Sequence, residues 1–456
     1  MKANQSQRLI NSSRKKVLFI SYLFPPVAGG GVQRSSKFVK YLPQFGWQPL
    51  VLTVKEPYDF YSDDGLLKDV ESNCKIYRTF SIEPMKWVRK LIKKRSQKET
   101  EQIKNKFQPK KTLKKGFLVK LKTYLFIPDN EILWLPFAVW RGWRIIRKEK
   151  PEIIYSSASP FTDHLIALIL KIITRLPWAA DFRDFWVDRA NFPANQWRLI
   201  IDRKLEAIVF KYADQIITAT PLMMEHFSKL YPDSKLTTIT NGYDEDDFLQ
   251  TENLKPLEKE FRITYTGIFN KEQNPQKFFS AVRKVLDQNE DFKKRIKLKF
   301  IGQLDNPGDF ENLIFFKSLQ LEEYSELVLY QPHKNVIEEM FQAKVLLLLI
   351  GEYPHSKGIF TGKIFEYLRS NRPILGVVPL DGVAADVLRR TNAGIVVGNN
   401  NSDKIAEGII ELFNLFAKNE LEQSFRRKNI EEYNRKKLTS ELADTFFSVV
   451  NEMNLR

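Results

Sequence analysis

Short runs of Val, Ile and Leu alternate with helix-length amphipathic stretches along almost the whole chain. Strand-like runs are predicted at Val17–Ser21, Pro49–Val54, Ile153–Ser157, Trp178–Asp181, Gln215–Thr218 and Leu236–Thr240. A second series follows at Arg262–Thr266, Lys297–Ile301, Leu327–Tyr330, Val345–Ile350, Pro373–Val378 and Gly394–Val397. Near-continuous apolar strands separated by helices mean parallel sheets covered on both faces. Two series predict an α/β protein of two doubly wound domains, each with its ligand site at the carboxyl ends of its strands. The first domain is expected over residues 1–243 and the second over 244–430. A helical segment, 431–456, is expected to pack back on the first domain. The join lies at TNGYDEDDF, Thr240 to Phe248: Asn241-Gly242 is a turn signal, and the acidic run reads as an exposed connector rather than a metal site.

Three stretches carry candidate chemistry. After the first strand and Pro25-Pro26, Gly29, Gly30 and Gly31 open a helix-like stretch. Glycines let backbone approach a ligand, and a helix start offers free N–H groups to a phosphate. The spacing is not the dinucleotide fingerprint, so the stretch reads as a phosphate loop or as a plain strand-to-helix loop. In GIFTGKIFEYLRSNRPILGVVP, Gly358 to Pro379, a helix presents Lys363, Glu366 and Tyr367 on one face, just after Gly362. Lys363 suits a phosphate and Glu366 a ribose diol; the plainer alternative is a surface helix with Glu366 paired to Lys363 or Arg369. In WAADFRDFWVD, an apolar strand ends in Asp181, Arg183 and Asp184, charges that belong at a ligand crevice or in a structural ion pair.

Composition narrows the classes. The 456 residues include one cysteine, Cys74, and four histidines, which leaves no disulfide framework and little ligand for a transition metal. No stretch reaches the ~20 apolar residues of a spanning helix, and a cytoplasmic protein is expected. Net charge is +17, and it is concentrated: Met85 to Lys122 holds 15 Lys and Arg against Glu99 and Glu101, a net of +13. Apolar faces formed by Trp87, Val88, Leu91 and Ile92, and by Phe117, Leu118, Leu121, Tyr124 and Leu125, oppose lysines. A basic amphipathic segment of this kind, about 85–126, suits the anionic inner face of a membrane. Clustered lysines also suit nucleic acid, but the confined charge and the absence of any recognition motif argue against that partner.

Taken in order, PPVAGGGVQR, DFRDFW, NGYDEDDF, GKIFEYL with RPIL, and DGVAADVLRRTNAGIVV resemble a nucleotide-sugar-dependent glycosyltransferase. The likeness is to the family-4 group of retaining enzymes with the GT-B fold, in the branch that builds bacterial surface polysaccharides. It implies two Rossmann-like domains facing a central cleft, a nucleotide sugar as donor, and a glycan or lipid-linked acceptor. It implies no cofactor and no metal. Gly30 and Gly31 match the glycine loop over the donor diphosphate, Glu366 the ribose-binding glutamate, Lys363 the adjacent cation, and Thr266 and Gly267 the first turn of the second domain. Lys363, Lys271 and Asp184 are then the catalytic candidates; Gly362 lies on the donor side; Asp181, Arg183 and His164 are acceptor-side candidates.

The chain also departs from the pattern. The slot of a second glutamate holds Gly358, the usual arginine after the first glycine of the second domain is Ile268, and the next lysine is matched loosely by Lys271. The family histidine near the end of Ile153–Ser157 falls on Ser159 or Pro160, and His164 lies further along a helix. An epimerase or a phosphorylase on the same fold is the alternative reaction.

Overall fold

The computed structural model describes residues 14–27, 30–55, 64–82, 126–189, 192, 195–249, 251, 254, 259–306, 309–329 and 331–455. The basic segment expected at 85–126 lies outside them except for Phe126. The chain divides into two compact units, one of Met1–Ala219, Phe227–Thr238 and Thr439–Arg456, the other of Thr220–His226 and Ile239–Leu438.

The first unit is built on a seven-stranded sheet. Its strands are β1 (Lys15–Ile20), β2 (Trp47–Val54), β3 (Lys75–Thr79), β4 (Ile153–Ala158), β5 (Trp178–Phe182), β6 (Gln215–Thr218) and β7 (Leu236–Thr238), in the order β3-β2-β1-β4-β5-β6-β7. All neighbours pair in parallel. Helices α1 (Gly30–Tyr41), α2 (Leu135–Glu149), α3 (Thr162–Thr174) and α4 (Gln196–Tyr212) include the crossovers. Every residue of β4 and β5 is buried, as strands covered on both faces must be. One strand was not foreseen: β3, KIYRT, is half polar because it is an edge strand with only one neighbour to satisfy.

The second unit has six parallel strands, β8 (Phe261–Ile268), β9 (Ile296–Gln303), β10 (Ser325–Val328), β11 (Val345–Leu349), β12 (Ile374–Val377) and β13 (Gly394–Val397), in the order β10-β9-β8-β11-β12-β13. The run VLLLLI shows how the sheet sorts its core. Val345, Leu347 and Leu349 join one apolar cluster, and Leu346, Leu348 and Ile350 join another. The alternation sends successive side chains to opposite faces, so one strand serves two cores. Helix α5 (Lys363–Arg369) places Ile364, Phe365, Tyr367 and Leu368 in the second cluster.

Helix α6 (Arg435–Asn454) supplies the last part of the first unit's core. Phe446 and Phe447 pack on Trp47 at ring-centroid distances of 5.4 and 5.0 Å, and Phe446 meets Tyr155 at 5.6 Å.

Candidate active site

In the second unit, the candidate residues gather where β8, β9 and β11 end. Gly267 and Gly302 are paired in register on β8 and β9, with φ of +121° and +132°. Such values favour glycine. A Cβ on Gly302 would overlap the Gly267 carbonyl, and one on Gly267 would stand 2.9 Å from Lys363 Nζ. The two glycines therefore clear the space into which Lys363 reaches. Its Nζ lies 4.0 Å from the centre of the Tyr265 ring, which stacks on Phe269 and is anchored by Tyr265 Oη donating to Gln273 Oε1 at 2.8 Å. Burial pushes the Lys363 ammonium down to about 7, against the pull of Glu366. Lys363 is thus a half-buried amine whose proton is exchanged near neutral pH.

One turn on, Glu366 Oε1 meets His333 Nε2 at 2.8 Å, and the carboxylate's charge also acts on Lys363. Arg369 binds Glu245, which makes that carboxylate part of an ion pair in the connector. Tyr367 Oη is 3.1 Å from both the amide nitrogen and the hydroxyl of Thr266, so the end of β8 is fixed to α5. Gly362 is exposed, with open space where a side chain would begin. Lys271 starts a short 3-10 turn, and its side chain lies outside the described residues. At Gly358 the departure from the family pattern has a steric counterpart: a Cβ there would stand 2.8 Å from Leu222 Cδ2. Ile268 is 40% exposed at the end of β8.

In the first unit the acceptor-side candidates separate into structural and accessible groups. Asp181 is fully buried and accepts from Arg34 Nε at 2.9 Å, Arg34 Nη2 at 2.7 Å, Tyr155 Oη at 2.7 Å and Ser157 Oγ at 2.8 Å. Burial opposes its ionisation, but Arg34 outweighs that and holds the carboxyl below its usual range. These four bonds tie the Asp181 carboxylate to β1's following helix and to β4. His164 lies on α3. It is wholly buried, with Nδ1 2.8 Å from Ser156 Oγ and the ring 4.5 Å from that of Phe182. Burial pushes it down to about 3, so it is neutral at physiological pH.

Arg183 is half-buried and spends its guanidinium on main chain: Nε donates to the Ala158 carbonyl at 3.1 Å, Nη2 to that of Ser159 and Nη1 to that of Gly31. It binds the glycine loop to the turn after β4. Gly31 fits beneath it, since a Cβ would already stand 3.2 Å from Nη1. Gly30 begins α1, and Gly29 lies outside the described residues. Asp184 is exposed beside this staple. Arg34, Tyr155, His333, Tyr265 and Gly302 were passed over in the sequence. Of these, only His333 had a usable signal, as one of four histidines placed just past a strand.

Comparison with known proteins bears on this geometry. The model of Glycosyltransferase Family 4 matches residues 102–247, and that of Glycosyl transferases group 1 matches residues 247–437. No curated protein matches the sequence. Among solved structures, a glycosyltransferase from Rickettsia africae ESF-5 is 13% identical over 96% of this chain and 98% of its own, with a TM-score of 0.61. A mutant of S. aureus TarM, solved with fondaparinux, α-GlcNAc-glycerol and UDP, is 12% identical over 95% and 99%, with a TM-score of 0.59. A UDP-N-acetylglucosamine 2-epimerase is 11% identical over 97% and 98%, with a TM-score of 0.52. The likenesses carry the fold, and the two family models, end to end, carry the identity. The chain belongs to the family-4-type glycosyltransferases of the GT-B fold.

Proposed function

We propose that the protein transfers a hexosyl or N-acetylhexosaminyl group from a nucleotide sugar to a glycan or lipid-linked acceptor, with retention, in bacterial surface-polysaccharide synthesis. The observation that carries the donor side is Lys363, half-buried against Tyr265 over the glycine pair, with Glu366 oriented by His333 one turn away. In this reading the bond from the anomeric carbon to the diphosphate oxygen breaks while an acceptor hydroxyl oxygen bonds the same carbon and passes its proton to the departing diphosphate oxygen. Negative charge grows on the departing diphosphate, and the Lys363 ammonium stabilises it without having to reorganise. Lys271 adds a second cation, Thr266, Gly267 and Gly362 shape the phosphate path, and Glu366 accepts hydrogen bonds from the ribose. Gly30 and Gly31, in the loop that Arg183 staples, take part on the donor side, and Asp184 orients the acceptor. Transfer needs no divalent metal. The basic segment at about 85–126 holds the protein on an anionic membrane where a lipid-linked acceptor would lie. The complexes of TarM with UDP and with sugar ligands support this choice of partners.

The test is calorimetric titration of nucleoside diphosphate and nucleotide sugar into wild type and Glu366→Ala, in the presence of EDTA. The variant weakens both ligands, because both carry the ribose, and EDTA leaves the wild-type titration unchanged. Equal affinity in variant and wild type, with the fold intact, removes Glu366 from the site. Turnover of a sugar nucleotide without any acceptor would favour an epimerase.

A further inference from the structure

Helix α2 carries large aromatic side chains that the first unit leaves uncovered. It reads LPFAVWRGWRIIRKE, and its rotation is set by what it buries: Ala138, Gly142, Ile145 and Ile146. Gly142 sits so close to α3 that a Cβ there would stand 2.6 Å from Leu170 Cδ1. With that face fixed inward, helical periodicity turns Trp140, Trp143, Arg144 and Arg147 outward. Trp140 is 57% exposed and Trp143 36%. Arg144 lies over the Trp140 ring at 4.8 Å, and Arg147 over that of Trp143 at 5.1 Å. Beyond the helix start, Phe80 is 61% exposed and meets Phe137 edge-on at 5.4 Å, which extends the aromatic ridge. The one acidic residue of α2, Glu149, is already taken up by Lys16, Lys75 and Tyr77. The exposed face is therefore aromatic and cationic.

We infer that this tryptophan–arginine face of α2 is a docking surface for an anionic lipid bilayer. Amphipathic indole rings favour the headgroup level, and guanidinium groups stacked on them are placed to meet lipid phosphates. Charge decides between this occupant and the nearest alternative, the chain's own segment 83–125. That segment carries fifteen Lys and Arg against three Glu, so it is repelled by Arg144, Arg147 and Lys148, whereas anionic lipid is complementary to both. The segment ends at 125 and α2 begins at Leu135, so the two cationic features follow one another in the chain. The inference stands on exposed residues of the first unit and does not depend on the donor assignment.

Full-length protein is sedimented with vesicles of phosphatidylglycerol and phosphatidylcholine, and with phosphatidylcholine alone, at 0.1 M and 0.5 M salt. Trp140→Ala with Trp143→Ala is expected to weaken binding about tenfold or more to the anionic vesicles, with unchanged melting because both side chains are exposed. Arg144→Gln with Arg147→Gln is expected to weaken anionic binding about tenfold or more and to flatten its salt dependence. Lys93→Gln with Lys94→Gln serves as the comparison from the basic segment. If the double tryptophan variant sediments like wild type while the lysine variant does not, the basic segment alone is the anchor and the inference fails. It also fails if acrylamide, in the absence of vesicles, quenches wild type and Trp140→Phe with Trp143→Phe with the same accessible fraction. That outcome would mean the chain itself covers the ridge.

Discussion

Lys363 makes donor binding a proton-linked event of a size that can be worked out beforehand. Its ammonium is pushed down to about 7 by burial, so without ligand about half the molecules carry the proton at pH 7 and about a tenth at pH 8. A diphosphate beside it favours the charged form and keeps the lysine protonated through this range. A nucleotide sugar has no group of its own titrating near neutrality, so any proton taken up belongs to the protein. Expected uptake is ~0.1 proton at pH 6, ~0.5 at pH 7 and ~0.9 at pH 8, and the affinity should fall toward tenfold per pH unit above pH 8. The sign follows from the depressed value: binding takes up a proton, and raising the pH opposes binding. Titration calorimetry in buffers of different ionisation enthalpy reads the proton count as the slope of observed heat against buffer heat. Lys363→Met should abolish the uptake and cost about 1.5–3 kcal/mol of donor affinity, the range for a hydrogen bond to a charged group. A proton uptake that persists unchanged in Lys363→Met, or a donor affinity that the substitution leaves unchanged, would refute the assignment of Lys363 to the diphosphate.

Two further outcomes concern stability. Arg34→Met or Asp181→Asn leaves a buried charge uncompensated and should cost about 3–5 kcal/mol, read as a lowered urea midpoint at constant slope. His164 is pushed down to about 3 in the folded chain against an ordinary value near 6.5, so folding excludes a proton that the unfolded chain binds. Stability should therefore drop as pH falls from 6.5 toward 3, and His164→Gln should flatten that part of the urea-midpoint profile; an unchanged profile would show that the imidazole is not kept neutral by the fold.

The core strands were legible because burial on both faces leaves no room for polar residues. VLLLLI is strand-like in the sequence for the same reason that its odd and even positions fill two different cores. The edge strand KIYRT was not, since one-sided pairing relaxes the demand on its composition. The motif glycines and Lys363 stand out in the sequence by their spacing, whereas the side chains that surround Lys363 come from elsewhere in the chain. Tyr265 precedes it by nearly a hundred residues and His333 reaches Glu366 across 33. Asp181 shows the limit from the other side: a charge at the end of a strand reads as chemistry in the sequence, and its partner Arg34 lies far upstream.

The packing of α6 on Trp47 and Tyr155 has a consequence for how the protein is made. The first unit's sheet is finished once residue 238 has been synthesised, but the aromatic cover over its β1–β2 side is encoded by Phe446 and Phe447. At 5–20 residues per second, roughly 10–40 s of translation separates the two. Throughout that interval the nascent sheet stands at the ribosome with Trp47 uncovered, while the second unit is translated and can fold on its own core. The order of folding is then the reverse of the order of synthesis: the part made first is completed last. A chain interrupted shortly before Phe446 would release a finished second unit joined to a first unit still open to chaperones and proteases.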